Sequence, residues 1–288
     1  MVEATVLIPT HNHGPTVRLA VSSALGQTVT DIEVLVVGDG VPDVTREIMG
    51  EITAADDRVR FFDNPKGARH GEIHRHAALA SATGRIVCYL SDDDLWTPWH
   101  LETMSALLED ADVAHTLPVQ IGPDGSITVQ VVDLARAQYR RLLLESKNRI
   151  PLACFGHTLA MYRRLPHGWR PAPTTVASDL HMYRQFLADE TCRAVGGYRP
   201  TALILPNPAR RTWPVERRLE EISEWQRRMA EPGFELAWHR DIVANLDRQV
   251  QWFEATRTWR ITGQAMRPVW WWRRKRTAVR LRLGRGGR

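Results

Sequence analysis

The sequence predicts an α/β fold in which a mixed sheet is flanked by helices and followed by a C-terminal helical extension. Three observations predict it. Short β-branched or aromatic runs recur in the first third of the chain, apolar residues at helical spacing separate them, and a three-four apolar spacing returns beyond residue 208. Strands that alternate with helices form a largely parallel sheet, whose ligands bind at the carboxyl ends of the strands.

The predicted elements of the first half follow one another closely. The strands are Ala4–Pro9, Ile32–Val37, Arg58–Phe62 and Arg85–Leu90. Polar segments come at the ends of three of them, at residues 9–12, 38–40 and 91–94. These segments are therefore the expected ligand-binding edge.

The second half has a different pattern. A helix is expected from Pro98, because proline is favoured in a first helical turn. The further predicted elements are a hairpin of Val113–Leu117 with Ile127–Val132 around the turn Gly122–Gly125, a helix from about Asp133 to Glu145, a strand over Thr158–Arg163 and a helix from Asp179.

Two amphipathic stripes follow a plausible linker at residues 206–208. They predict a helical hairpin or a short coiled coil, through which two copies of the chain can also pair as a homodimer. The predicted domains are a body at 1–208, with halves at about 1–98 and 99–208, a helical extension at 209–262 and a basic tail at 263–288.

Charge is distributed unevenly along the 288 residues. The net charge is +5, but residues 1–208 hold 19 basic and 24 acidic residues, whereas 209–288 hold 19 basic and 9 acidic. From Arg257 to Arg288 there are eleven basic residues and no acidic one, with Trp270, Trp271 and Trp272 among them. Such a segment favours an anionic membrane surface over nucleic acid, and a solubilising tail is the third interpretation.

The overall composition, 43% hydrophobic and 25% charged, is that of a globular protein and excludes disorder throughout. The three cysteines are far apart, which suggests neither a disulfide framework nor a zinc site and fits a reducing compartment. No secretory signal is visible, and no apolar run reaches the roughly 18–20 residues of a membrane span. We therefore expect a cytoplasmic protein, peripheral to the inner face of the cell membrane.

The acidic triplet Asp92-Asp93-Asp94 is the strongest chemical signal in the sequence. Three adjacent carboxylates repel one another unless a hard cation such as Mg²⁺ or Mn²⁺ takes their oxygens as ligands. The alternative is a solvated acidic turn that caps the next helix.

Four segments in the same order resemble the family 2 glycosyltransferases of GT-A fold. They are residues 6–12, 22–28, 32–40 and 90–98, and the resemblance covers roughly residues 3–205. It implies a GT-A, Rossmann-like fold that binds a nucleoside-diphosphate-sugar, with a cation on the diphosphate.

The resemblance also implies roles for residues of the donor site. Pro9, Thr10 and His11 correspond to the loop that contacts the base and ribose, and Asp39 to a residue that hydrogen-bonds the base. Arg75 corresponds to a basic residue near the phosphates. Gly38 stands where the family has a further carboxylate, so the base of the donor stays open.

In the triplet, Asp93 corresponds to the direct metal ligand and Asp92 to a residue on the sugar or ribose. Asp94 lies near the sugar or serves as a helix cap, and Ser91 replaces the family's first acid.

Asp179, at a helix start, corresponds to the base that takes the acceptor's proton, although the residues alone favour an ordinary cap. His157 corresponds to a position near the acceptor or donor sugar, and a buried, hydrogen-bonded histidine is the alternative. No Gln-x-x-Arg-Trp segment follows Asp179, so the resemblance implies a single sugar addition to a glycan or lipid-linked hydroxyl.

Two rival functions remain open on the sequence. A degenerate domain that only binds nucleotide or acts as a scaffold is suggested by Gly38 and Ser91. A nucleotidyltransferase shares the sheet, but Pro9-Thr10-His11-Asn12 stands where it has a glycine-rich loop with Lys or Arg.

Overall fold

The computed structural model describes residues 2–145 and 147–256, except for the side chain of Asn207. The predicted basic tail and the end of the predicted extension lie outside the described residues. The chain divides into two compact units, Met1–His239 and Arg240–Arg288.

The described residues form eleven strands and nine α-helices. The strands are β1 Ala4–Thr10, β2 Ile32–Asp39, β3 Val59–Asn64, β4 Ile86–Tyr89, β5 Leu95–Trp96, β6 Val113–His115, β7 Val119–Ile121, β8 Ile127–Val129, β9 Phe155–Thr158, β10 Ala194–Gly196 and β11 Ala202–Ile204. The helices are α1 Thr16–Leu25, α2 Asp43–Ala55, α3 Glu72–Leu79, α4 His100–Leu107, α5 Ala137–Glu145, α6 Leu159–Arg164, α7 Ser178–Ala188, α8 Val215–Met229 and α9 Phe234–Ala255.

Seven strands form a central mixed sheet in the order β10-β6-β9-β4-β1-β2-β3. Strands β4, β1, β2 and β3 are parallel, and β9 runs antiparallel to both β4 and β6. A second sheet has the order β5-β11-β7-β8. The predicted mixed α/β architecture is therefore confirmed.

The centre of the large sheet is the core of the molecule. Every residue of β2 is buried, as are all but one of β1. Strands buried on both faces read as continuous apolar runs rather than as alternating ones, which is why these segments were recognisable in the sequence. A sheet held this firmly fixes the positions at which its carboxyl ends project.

Two predicted elements of the second half are wrong. Thr158–Arg163 is not a strand, because Thr158 ends β9 and its hydroxyl accepts a hydrogen bond from Met161 N at 3.2 Å, which caps α6. The hairpin pairs β8 with β7, whereas Val113 belongs to β6 in the large sheet. A tight turn pairs the residues next to it, so Val119–Ile121 is the partner strand.

Helix α8 belongs to the first unit, although the sequence-based boundary at 208 separates it from the body. Its residues Ile222 and Trp225 are buried, and Gln226 donates a hydrogen bond to Ser22 of α1 at 3.1 Å. In the part of the chain that the structure describes, none of the helices combines the length and apolar character needed to cross a bilayer.

Candidate active site

A cavity of about 630 Å³ opens at the carboxyl ends of β1, β2 and β4. Thr10 ends β1, Asp39 ends β2, and the acidic triplet begins at Asp92, three residues after β4 ends at Tyr89. The start of α7 and the segment after β11 close the other side. Its position is the one expected for a ligand site in a parallel sheet.

The acidic triplet forms a cluster with His13. The imidazole Nδ1 donates to Asp92 Oδ1 at 2.6 Å and lies 3.9 Å from Asp93 Oδ2. One ligand atom from each of His13, Asp92 and Asp93 lies within 4.8 Å of the others, which is metal-site spacing. Burial lowers the pKa of His13, but the hydrogen bond to Asp92 and both carboxylate charges outweigh it and raise the pKa overall.

Asp93 and Asp94 are both buried and both resist ionisation. Burial, aided by the charge of Asp92, raises the pKa of Asp93 to about 6, although His13 and Arg218 act in the opposite direction. Arg218 comes from α8, and its Nη2 donates to Asp93 Oδ2 at 2.6 Å. Burial also raises the pKa of Asp94 well above its usual range. Asp94 does not cap α4, because the N-cap residue is Trp99, whose side chain makes no capping hydrogen bond; instead, Asp94 Oδ1 accepts from Leu205 N at 2.8 Å.

Arg75 projects from α3 into the cavity wall. Its guanidinium lies 4.8 Å from the ring centroid of Trp169, and Nη2 donates to the carbonyl oxygen of His70 at 2.9 Å. Burial lowers the pKa of Arg75, yet a guanidinium stays protonated at any physiological pH. Its Nε is buried with no partner among the described residues, so it is available to a bound anion.

His157 lies beneath this wall rather than in it. Trp169 Nε1 donates to Tyr89 Oη at 3.1 Å, and Tyr89 Oη in turn lies 2.7 Å from His157 Nε2. Burial lowers the pKa of His157 to about 4, so the ring is neutral and accepts from Tyr89 while Nδ1 donates to Thr158 O. The fully buried ring thus supports Trp169 through Tyr89, which is the buried, hydrogen-bonded arrangement that the sequence left open.

Asp39 holds the loop of residues 65–71 at the mouth of the cavity through hydrogen bonds. Its Oδ1 accepts from Gly67 N and its Oδ2 from Lys66 Nζ, both at 2.6 Å. Burial raises the pKa of Asp39, but these donors outweigh burial and lower it overall. His11 Nδ1 donates to the carbonyl oxygen of Asp39 at 2.6 Å, which leaves the exposed imidazole ring at the cavity edge.

Asp179 lies in the first turn of α7 with its carboxylate on the cavity wall. Oδ1 accepts from Leu180 N at 2.7 Å and Oδ2 from Asn148 Nδ2 at 2.6 Å. Burial raises the pKa of Asp179, and the Leu180 amide, the charge of Arg75 and Asn148 offset part of that rise. The residue at the N-cap position is Ala177, so Asp179 itself is not the cap.

The structure brings nearly all of the predicted site residues together. Those that line the cavity are Pro9, Thr10, His11, Asp39, Arg75, Asp92, Asp93, Asp94 and Asp179. His157 does not line it. Sequence reasoning missed His13, Lys66, Asn148 and Arg218; of these, only His13 had a local signal, since it follows the predicted loop directly.

The cluster suits a divalent cation. Its donors are an imidazole and two carboxylates, and Asp92 Oδ2 is buried without a partner among the described residues. Carboxylate oxygens suit Mg²⁺ and Mn²⁺ alike, whereas the imidazole favours the transition metal. His13, Asp92 and Asp93 are thus the residues able to hold the ion.

Solved structures share this fold. TarS of Staphylococcus aureus (residues 1–349) aligns with a TM-score of 0.56 at 17% identity, over 89% of this chain and 73% of that one. The mannosyltransferase PcManGT of Pyrobaculum calidifontis, solved with GDP-Man and Mn²⁺, aligns with a TM-score of 0.51 at 16% identity, over 90% and 82%. Both likenesses show the fold, which is the predicted GT-A class.

Sequence relatives lead to the same class. WfgD of Escherichia coli, named a UDP-Glc:alpha-D-GlcNAc-diphosphoundecaprenol beta-1,3-glucosyltransferase, is 29% identical over 142 residues, 48% of this chain and 54% of WfgD. An uncharacterized glycosyltransferase of Nostoc sp. is 30% identical over 127 residues, 43% of this chain and 39% of the relative. The matched segments therefore span about half or less of these relatives.

The model of the family called Glycosyl transferase family 2 matches residues 5–167, which is more than half of the chain. This chain belongs to glycosyl transferase family 2, and the resemblance seen in its motifs is confirmed.

Proposed function

We propose that this chain is an inverting, metal-dependent glycosyltransferase that moves one sugar from a nucleoside-diphosphate-sugar to a hydroxyl acceptor. Its setting is the synthesis of cell-envelope polysaccharide or lipid-linked glycan. The observation that supports this most is that the wall of one cavity carries Arg75, the His13-Asp92-Asp93 cluster and Asp179 together. A cation site, an anion-binding side chain and a base are the three parts that such a transfer needs.

The donor occupies the side of the cavity formed by β1 and β2. His11 stacks on the base, and the hydroxyl of Thr10, buried and without a partner among the described residues, bonds the ribose. Asp39 keeps lone pairs for the base beyond the two donors it already accepts. Arg75 binds a phosphate oxygen through its unused Nε, since a guanidinium fork matches phosphate geometry.

His13, Asp92 and Asp93 would hold a Mg²⁺ or Mn²⁺ ion, which when bound would supply Lewis-acid stabilisation of charge on the departing diphosphate. Asp92 also contacts the sugar or ribose, and Asp94 holds the triplet in place through Leu205 N. PcManGT was solved with GDP-Man and Mn²⁺, which supports this assignment of donor and ion.

Asp179 acts as the general base. It accepts the proton of the acceptor hydroxyl while that oxygen bonds to the anomeric carbon, and the bond from this carbon to the diphosphate oxygen breaks on the opposite face. The electron pair of that bond leaves with the diphosphate, and the configuration inverts because attack and departure take place on opposite faces of the carbon. Asn148 and Leu180 N hold the carboxylate in position, and burial makes it more basic than a solvated aspartate.

The relatives and the basic C-terminal segment support the proposed acceptor and cellular location. WfgD, by its name, acts on a lipid-linked diphosphate, which supports a lipid-linked hydroxyl acceptor here. The basic segment 257–288 supports peripheral attachment to the inner face of the membrane.

Val243, Val250 and Phe253 are exposed on α9, which supports pairing of two copies. Sedimentation velocity of a Val250→Glu variant tests that pairing.

The degenerate scaffold is the second candidate function, and the replacements at Gly38 and Ser91 favour it. A scaffold binds nucleotide but catalyses neither transfer nor donor hydrolysis. The cavity argues against it, because the base and the cation cluster are both present without the family's first acid at position 91.

Donor hydrolysis screened over common nucleotide-sugars, with and without Mn²⁺, identifies the donor and separates the two candidates. With that donor, we expect Asp179→Asn to lower turnover at least about 100-fold while donor affinity changes little. Glu190→Gln, an exposed change just beyond α7, is the matched control. Nuclear magnetic resonance of the product gives its anomeric configuration. Full turnover by Asp179→Asn, or a retained configuration, contradicts the proposal.

A further inference from the structure

Helix α8 contributes a cation to the candidate metal cluster. Arg218 Nη2 lies 2.6 Å from Asp93 Oδ2, and the two side chains are only 12% and 10% exposed. The helix lies outside the residues that the family model matches. A buried pair of this kind differs from a surface ion pair, because removing one partner leaves the other charge desolvated.

A second buried ion pair fixes α8 at this position. Glu221, one turn after Arg218, accepts from Arg210 Nε at 2.5 Å and from Nη2 at 2.6 Å. Arg210 is 1% exposed, and its Nη2 also donates to the carbonyl oxygen of Ile121. Helix α8 is therefore anchored to the body beside Arg218, so the approach of Arg218 to Asp93 is a property of the fold.

Arg218 is paired with the carboxylate of Asp93, which is one of the three groups that would bind a cation. Asp93 is one of the three residues within metal-site spacing, and its Oδ2 already accepts from Arg218. A guanidinium and a divalent ion on one carboxylate repel each other at short range. Arg218 Nε is also buried with no partner among the described residues, so this side chain has a further donor for a ligand.

We propose that Arg218 is a diphosphate-binding residue that exchanges between Asp93 and the donor. In the free protein the guanidinium supplies the counter-charge of Asp93. When the nucleoside diphosphate and the cation bind together, the ion takes the carboxylate and the guanidinium turns to a phosphate oxygen. This inference rests on the proposed function and adds a residue from outside the matched family region.

The exchange has a thermodynamic consequence that can be measured without turnover. Arg218 opposes cation binding to the free protein but favours diphosphate binding to the cation-loaded protein. Cation and diphosphate therefore bind cooperatively, and each raises the affinity for the other by the same factor.

The test measures Mn²⁺ binding without nucleotide, by the electron paramagnetic resonance of free Mn²⁺, and UDP and GDP binding at saturating Mn²⁺ by calorimetry. We expect Arg218→Met to raise the Mn²⁺ affinity and lower the diphosphate affinity, each by at least about tenfold, as for one charge-assisted hydrogen bond. Arg218→Lys keeps the charge without the fork and should lie between the two.

Arg217→Met is the matched control. This neighbour on α8 is exposed, and its guanidinium lies 3.7 Å from the ring centroid of Trp213, so both affinities should stay unchanged. Thermal melting establishes that each variant is folded, and Arg218→Lys provides the comparison should Arg218→Met unfold.

Suppose that the wild-type protein binds a diphosphate. Unchanged or weakened Mn²⁺ binding in folded Arg218→Met then overturns the exchange alone. If only Arg218→Lys folds, the same result in that variant overturns it. A wild-type protein that binds neither UDP nor GDP with Mn²⁺ overturns the proposed function and the exchange together.

Discussion

Asp93 and Asp179 line the same cavity, but different neighbouring groups balance the charge of each carboxylate. Asp93 has His13 and Arg218 beside it, whereas Asp179 has hydrogen bonds from Asn148 and Leu180 N and only a more distant arginine. In the proposed function, environment thus separates two chemically identical side chains into a cation ligand and a proton acceptor.

The pH dependence of the rate tests this division. Because burial raises the pKa of Asp179, the base is protonated and inactive below a pH that lies above the usual value of about 3.9. We expect kcat/KM to fall as the pH falls through that raised pKa. The hydrogen bond from Asn148 lowers the pKa, so Asn148→Ala should move the acid limb to higher pH.

The comparison between wild type and Asn148→Ala is specific to Asp179, because Asn148 bonds Asp179 and the backbone of Ile150. At saturating Mn²⁺, which competes with protons for Asp93, an acid limb that stays in place while the protein remains folded contradicts the assignment of Asp179 as the base.

The residues that sequence reasoning found are those whose signal is local. Asp39 and the triplet follow apolar strands directly, so the end of each strand predicts their position. Asn148 and Arg218 contact their partners across 31 and 125 positions of chain. Such contacts depend on how helices pack, and no spacing in the sequence records them.

At the scale of elements, the prediction of a strand over Thr158–Arg163 was wrong because a helix begins there. Residues 158–163 contain one β-branched and one aromatic residue, but Leu159, Ala160 and Met161 are strong helix formers, and the Thr158 hydroxyl caps the helix by accepting from Met161 N. Strands β1, β2 and β4 were predicted to within a few residues because burial on both faces leaves a continuous apolar run, whereas the partly exposed β3 was found from Val59, Phe61 and Phe62.

The loop that Asp39 fastens gives an element-scale prediction. Gly71 has φ +69°, and a Cβ there would lie 2.6 Å from Asp39 Cγ. Gly71→Ala should destabilise the fold by about 1–2 kcal/mol through the left-handed backbone alone and weaken nucleotide binding by displacing Asp39. Urea unfolding and diphosphate calorimetry measure the two effects.

Gly50→Ala is its matched control. Gly50 lies within α2 with nothing within 4 Å of an added Cβ, so this change should stabilise the protein by about 0.5–1 kcal/mol and leave nucleotide binding unaltered. Equal effects of the two variants would contradict the role given to the loop.

At the scale of the whole molecule, the net charge of +5 is the sum of an acidic body and a basic C-terminal part. Five of the body's 24 acidic residues line the cavity, and in the proposed function the cation, Arg75 and Arg218 balance them against an anionic donor. Residues 257–288 carry eleven basic residues and no acidic one, so they are suited to location rather than to chemistry.

Deletion of residues 257–288 tests that interpretation. Each cation near an anionic leaflet contributes about 1 kcal/mol, so the truncated protein should be released from phosphatidylserine vesicles and keep its activity on a soluble acceptor. Vesicle sedimentation at two salt concentrations measures the first, with neutral vesicles as the control. Retained binding, or loss of activity together with binding, would show that the segment has another role.

The hydrogen bond from Leu205 N to Asp94 affects how the enzyme can move. Leu205 directly follows β11, and Asp94 directly precedes β5, which pairs with β11 in the second sheet, so this bond continues that pairing into the triplet. Both residues are buried, and a movement that drew Asp94 away from Leu205 would leave a buried carboxylate without its donor. Substrate entry is therefore expected to depend on loops such as 65–71 and on side chains such as Arg218, around a triplet that stays in place.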